Sequence, residues 1–130
     1  MSAPDVTAVR PFLPAKDFEL SKRFYRALGF EILLDDVIAI FSCGGAGGFI
    51  LQNYYVADWA ENAVMQLIVD DLDAWWAHIE ALDLPANFGV RPPKAPALQP
   101  WHMRVAYLID PSGVLWHVGE RREGLRQDGP

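Results

Sequence analysis

Residues 17–30, Asp17-Phe18-Glu19-Leu20-Ser21-Lys22-Arg23-Phe24-Tyr25-Arg26-Ala27-Leu28-Gly29-Phe30, set the architecture of the chain. Asp17 is placed as a helix N-cap, its carboxylate free to accept from first-turn amides. Leu20, Phe24, Ala27 and Leu28 recur at helical spacing and form one apolar stripe. Gly29 supplies the left-handed residue that ends such a helix. Upstream, Val6 to Leu13 reads as a strand, and Pro11, which lacks a backbone donor, confines it to an edge or to one-sided pairing. Downstream, Phe30 to Leu34, Val37 to Ser42 and Phe49 to Gln52 read as strands, separated by Asp35-Asp36 and by the turn Gly44-Gly45-Ala46-Gly47-Gly48.

The same order then repeats. Asn53 to Asn62 is a connection carrying Tyr54, Tyr55 and Trp59. Ala63 to Val69 is a strand, and Asp70 or Asp71 caps a helix with the stripe Leu72, Trp75, Trp76, Ile79 and Leu82, closed by Leu84-Pro85. Residues 86–100 hold Pro92, Pro93, Pro96 and Pro100, so at most a short strand near Phe88 and then an extended loop are expected. Trp101 to Ile109 is a strand, Asp110-Pro111-Ser112-Gly113 a turn, and Val114 to Gly119 the last strand. Residues 121–130 form a polar tail with a disordered end expected. The fold class is therefore α+β in one domain spanning 1–130: two β-α-β-β-β modules, about 6–56 and 63–120, whose mixed sheets curve around a cavity. His78, off its helix stripe, reads as a solvated residue.

Composition bounds the function. The 130 residues are 52% hydrophobic and 22% charged, enough apolar material for a core without staples. The single cysteine, Cys43, excludes an intrachain disulfide and a multi-thiolate zinc site, and reads as a small core hydrophobe. The first five residues lack the basic and apolar regions of a signal peptide, and no apolar run approaches the roughly 20 residues of a membrane span. A reducing, cytoplasmic location is expected. Net charge −6 without a basic patch argues against nucleic acid, and its long-range field favours neutral or cationic ligands.

The segment 17–30 resembles the D-x-x-x-S-x-x-F-Y-x-x-L-G-F opening of vicinal-oxygen-chelate modules, and Asp110-Pro111-Ser112-Gly113-Val114-Leu115-Trp116-His117 resembles their closing D-P-x-G-x-x-x-[E/H] turn and strand. The superfamily includes glyoxalases, extradiol dioxygenases, fosfomycin-resistance transferases and bleomycin-binding resistance proteins. The resemblance implies paired β-α-β-β-β modules. Its enzymes hold one divalent metal through three or four His, Glu or Gln ligands. Its bleomycin-binding members are metal-free dimers whose ligands lie in grooves between subunits.

The first metal position, seven residues before the capping aspartate, falls on Arg10, which repels a cation, and its counterpart before Asp71 is Val64, which has no donor atom. The first-module glutamate position falls on Gln52, or on Leu51 one residue away, and the last on His117. No metal and no cofactor are expected, since divalent sites need three or more protein ligands. Strand alternation turns either His117 or its neighbours Trp116 and Val118 inward.

Other chemistry is poorly supported. The glycine run at 44–48 lies between strands, fails G-x-G-x-x-G and has no following Lys-Ser or Lys-Thr, so it is a hairpin rather than a phosphate loop. No G-x-S-x-G nucleophile elbow accompanies Ser42 or Ser112. Pro100-Trp101-His102-Met103-Arg104 resembles the P-W-G-x-R segment of bleomycin-binding relatives, with His102 in place of the glycine. Trp101 and Arg104 either contact ligand or serve the sheet edge and an ion pair, and Tyr54, Tyr55 and Trp59 either line a site or pack a linker. The candidate site is Tyr54, Tyr55, Trp59, Trp101, His102, Arg104 and His117, with Arg10 and Gln52. The reading is a metal-free protein sequestering an aromatic or cationic organic molecule in the groove of a homodimer. The competing reading is a metal-dependent glyoxalase-like lyase, isomerase or dioxygenase.

Overall fold

Both capping aspartates take their expected places. Asp17 accepts the Leu20 amide at 3.1 Å and starts α1 (Phe18–Leu28); Gly29, at φ 104°, ends it. Asp71 accepts the Ala74 amide at 2.9 Å and starts α3 (Leu72–Ala81). The computed structural model describes residues 3–45 and 47–121, so most of the polar tail expected at 121–130 lies outside the described residues.

The first module comprises β1 (Phe12–Pro14), α1, β2 (Glu31–Asp35), β3 (Ile38–Ser42) and β4 (Gly48–Gln52). Its sheet has the order β1-β4-β3-β2, with β1 parallel to β4 and the other pairs antiparallel. A short helix, α2 (Ala57–Asn62), leads to the second module: β5 (Val64–Val69), α3, α4 (Leu84–Phe88), β6 (Lys94–Leu98), β7 (Arg104–Ile109) and β8 (Leu115–Glu120). Its sheet runs β5-β8-β7-β6, with β5 parallel to β8, so the two modules share one topology. The fold is α+β with two four-stranded mixed sheets.

Four expectations need correction. The first strand is only Phe12–Pro14; residues 3–11 are exposed and outside any strand, because Pro11 cannot donate to a ladder and no neighbouring strand reaches them. Leu84-Pro85 does not terminate structure but opens α4, since proline is tolerated in a first turn, and Phe88 is helical rather than extended. The proline-rich stretch contains β6, an edge strand whose register shifts between Lys94 and Ala97 around Pro96. The strand expected from Trp101 begins at Arg104, after a turn closed by Gln99 and Met103.

One face of each sheet enters a common core. Phe41, Phe49 and Leu51 come from the first sheet and Ala106, Leu108, Trp116 and Val118 from the second, joined by Phe24, Tyr25 and Leu28 of α1 and Leu72 and Ile79 of α3. The space between the modules is thus filled with side chains; hollows open against the sheets and between the end of α1 and α3. The rings of Tyr25 and Phe49 lie 4.7 Å apart, and those of Phe49 and Trp116 5.6 Å. Buried polar groups are paired. The Tyr25 hydroxyl donates to Asp110 Oδ2 at 2.5 Å and accepts from the Trp116 indole at 3.0 Å. Asp110 Oδ1 accepts the Ser112 and Val114 amides. Burial pushes the Asp110 carboxyl upward, against the pull of these donors, and drives the Tyr25 hydroxyl well above its usual range.

A candidate ligand face on the second sheet

Alternation along β8 is resolved by burial. Trp116 and Val118 enter the core, so His117 stands on the outward face. Directly paired residues on adjacent strands share a face. His117 pairs with Tyr107 on one side and Gln66 on the other, and Tyr107 pairs with Lys94. The result is a polar row, Lys94–Tyr107–His117–Gln66, crossing all four strands. An apolar row, Ile109–Leu115–Val64, runs beside it, and on its other side lies Val105–Gly119–Ile68. Gly119 leaves room for Met103, whose Sδ would sit 2.8 Å from a Cβ there.

Aromatic rings gather over the row. Trp101 stacks on His117 with ring centres 6.5 Å apart and planes 15° from parallel, and Tyr107 meets His117 edge-on at 4.7 Å. Trp101 is 47% exposed, so one face of this stack is available. Burial pushes the His117 imidazole below its ordinary value of 6.5, which favours the neutral ring. Alongside lie two adjoining bays of about 530 and 320 Å³ that share Arg91, Ile109 and Leu115. Glu61 borders the larger, and Lys94 and Tyr107 the smaller.

The other sequence-derived residues divide. His102 is exposed in the turn beside Trp101, at φ 66°, the left-handed conformation that suits the glycine it replaces. Arg104 points away from the row, donating to Asp73 at 2.9 Å and Glu120 at 2.7 Å, the ion-pair alternative. Tyr54, Tyr55 and Trp59 sit in and before α2. Tyr54 and Trp59 approach to 6.4 Å, and Tyr55 packs on the core beneath the Lys16 ammonium, 5.5 Å from its ring centre. Among the described residues no ring of this trio stacks on Trp101 or His117. His78 is exposed as expected, but its Nε2 also lies 2.9 Å from the Leu28 carbonyl at the end of α1. Cys43 is half-buried, its thiol pushed up to about 11 by burial. Tyr107, Leu115, Ile109, Lys94 and Arg91 were not singled out from sequence, although the Asp110–Gly113 turn already implies that 107 faces 117 and 109 faces 115.

The first sheet repeats the geometry with different chemistry. Phe12 and Gln66 each stand five residues before the capping aspartate, and they pair with Ile50 and His117 respectively. The counterpart of His117 is therefore Ile50; Gln52 lies opposite Pro14, one alternation further, and Leu51 is in the core. The equivalent row is Leu34–Ile40–Ile50–Phe12, apolar throughout. Arg10 precedes β1, beside a bay of about 180 Å³ bounded by Leu33, Ser42 and Gly48. A divalent ion would find His117 and Gln66 on one sheet, hydrocarbon at Ile50 and a guanidinium at position 10. This donor set does not fit the metal of the superfamily's enzymes. Among the described residues, no three His, Cys, Asp or Glu side chains converge.

Comparison with known proteins gives consistent matches. The family model described as "Glyoxalase/Bleomycin resistance protein/Dioxygenase superfamily" matches residues 6–118. A bleomycin resistance protein of Klebsiella pneumoniae is 31% identical over 119 residues, covering 81% of this chain and 85% of that protein. The crystal structure of a bleomycin-binding protein complexed with bleomycin superposes with TM-score 0.73 at 27% identity, covering 90% of this chain and all of the other. A bleomycin resistance determinant encoded on transposon Tn5 gives 0.71 at 25%, covering 90% and 99%.

Proposed function

Because the chain belongs to the glyoxalase/bleomycin resistance protein/dioxygenase superfamily, we propose that it is a metal-free binding protein that sequesters an aromatic organic molecule of the antibiotic type in grooves of a homodimer. The observation that carries this reading is the Trp101–His117 stack with Tyr107 edge-on to it, Trp101 half open to solvent, beside the apolar Ile109–Leu115 pair that lines the adjoining bay. Planar rings bind such platforms through dispersion and displaced water, with little loss of side-chain freedom. The relatives named as bleomycin-binding or bleomycin-resistance proteins support the ligand class. The apolar outward row of the first sheet supports the dimer: Leu34–Ile40–Ile50–Phe12 of one subunit would roof the His117 row of the other. Arg10, Gln52, Tyr54 and Trp59 would then border the groove from the partner's side. No helix among the described residues is long and apolar enough to cross a membrane, and the free Cys43 thiol suits a reducing, cytoplasmic setting.

Calorimetric titration with bleomycin and with the neutral probe 2-naphthol tests the reading. Saturable binding of at least one, with quenched tryptophan emission and about tenfold weaker binding to Trp101→Ala, is expected from the loss of one stacking partner. Absence of heat and of quenching with both at millimolar concentration overturns it. Zinc, nickel, manganese or iron retained in stoichiometric amount through dialysis would replace it with the lyase or dioxygenase reading.

A further inference from the structure

The charge of the groove differs from that of the chain. Net charge is −6, yet the smaller bay on the second sheet is bordered by two cations, Arg91 and Lys94, and by no carboxylate. Neither cation forms an ion pair with a described residue, whereas Lys22, Arg26, Arg104 and Arg121 each do. Lys94 stands beside Tyr107 in the paired register, in the same row as His117. Arg91 lies where the two bays meet. The acidic lining groups belong to the larger bay: Glu61, and Asp110, which is buried and occupied by Tyr25, Ser112 and Val114.

We propose that the ligand carries an anionic group, a carboxylate, sulfonate or phosphate, attached to its planar apolar body, and that Arg91 and Lys94 read this group while Tyr107, Ile109, Leu115 and the Trp101–His117 stack hold the body. The physical argument is complementarity at short range. Two unpaired cations above an apolar floor desolvate cheaply only against an anion, and a cationic ligand meets repulsion there whatever the distant surface charge. Arg91 offers a planar fork and Lys94 a movable point charge, a combination suited to an oxyanion whose exact orientation is set by the ring stack. The inference rests on the small-molecule reading above and adds the charge of the ligand to it.

Three probes of similar size separate the two: 2-naphthalenesulfonate, neutral 2-naphthol and 2-naphthylmethylammonium, each titrated by calorimetry into the full-length protein at low salt. The sulfonate is expected to bind about tenfold tighter than 2-naphthol, the joint effect of two exposed charge-assisted contacts, and the ammonium more weakly than either. Arg91→Gln with Lys94→Gln should abolish the sulfonate preference, bringing the sulfonate to the affinity the same variant shows for 2-naphthol. Trp101→Ala should weaken all three and leave the preference intact. Both cations are exposed, so the double variant is expected to keep the wild-type circular dichroism and melting temperature. Equal or tighter binding of the ammonium, or a preference that survives the double variant, overturns the inference while leaving the small-molecule reading standing. Failure of all three probes and of bleomycin overturns both.

Discussion

At the residue scale, position 102 shows what a substitution in a family pattern means physically. His102 occupies a left-handed backbone position, φ 66°, in the turn between β6 and β7. An L side chain there crowds the following carbonyl, and glycine does not. Histidine tolerates this region better than most residues, and glycine loses more freedom on folding, so the two effects partly cancel. His102→Gly is expected to raise the unfolding free energy by about 0.5 kcal/mol, seen as a higher urea midpoint at unchanged slope. His117 carries a different signature. Burial holds its pKa below the ordinary 6.5. The unfolded chain therefore takes up a proton first as pH falls, so the stability contributed by the neutral ring is present above 6.5 and is lost between 6.5 and the lower native value. An NMR titration of the imidazole should give a midpoint under 6.5, and His117→Gln should flatten the fall in melting temperature below neutral pH. A midpoint at or above 6.5 would mean that burial does not disfavour the charged ring, and the predicted loss of stability would vanish.

At the element scale, legibility followed local physics. The caps at Asp17 and Asp71, the glycine stop at 29 and the turn at 110–113 depend on contacts a few residues apart, and the sequence displayed them. The segment 84–98 did not, because its outcome depends on tertiary position: Pro85 is harmless in a first turn, and Pro96 is harmless only because β6 lies at the sheet edge, next to β7 alone. The strand at residues 6–13 was overestimated for the complementary reason. Its composition favours extension, but within one chain a strand also needs a neighbour for its ladder, and only Phe12–Pro14 finds β4. The caps give a direct test. Asp71→Ala removes the acceptor for the Ala74 amide and should cost about 1 kcal/mol. Asp71→Asn, which keeps an acceptor oxygen, should recover most of it in the same denaturation series.

At the scale of the whole molecule, the two motifs that made the architecture readable prove to be bonded to each other. Tyr25 of the first reaches Asp110 of the second, and Lys16 and Ser21, at the start of the first helix, meet Ser112 of the second turn. Separating them would strand a carboxylate and a hydroxyl in the core. The candidate site was only half legible for the opposite reason. Trp101 and His117 announce themselves, but Tyr107, Lys94 and Arg91 acquire meaning only once strand register places them beside His117, and Arg104 is withdrawn by Asp73 and Glu120. The same register places Ile40 and Ile50 side by side on the outward face of the first sheet, partly buried, between the exposed Leu34 and Phe12. If a second copy covers them, light scattering should give twice the 14.6 kDa chain mass. Ile50→Glu should then shift the protein to the monomer mass while circular dichroism shows the fold retained, since a carboxylate on the outward sheet face still reaches water until an interface covers it. Ligand affinity should fall with it, because the groove would lose its roof. A wild-type protein that runs as a monomer at micromolar concentration would remove the roof from the proposal and leave an open binding face in its place.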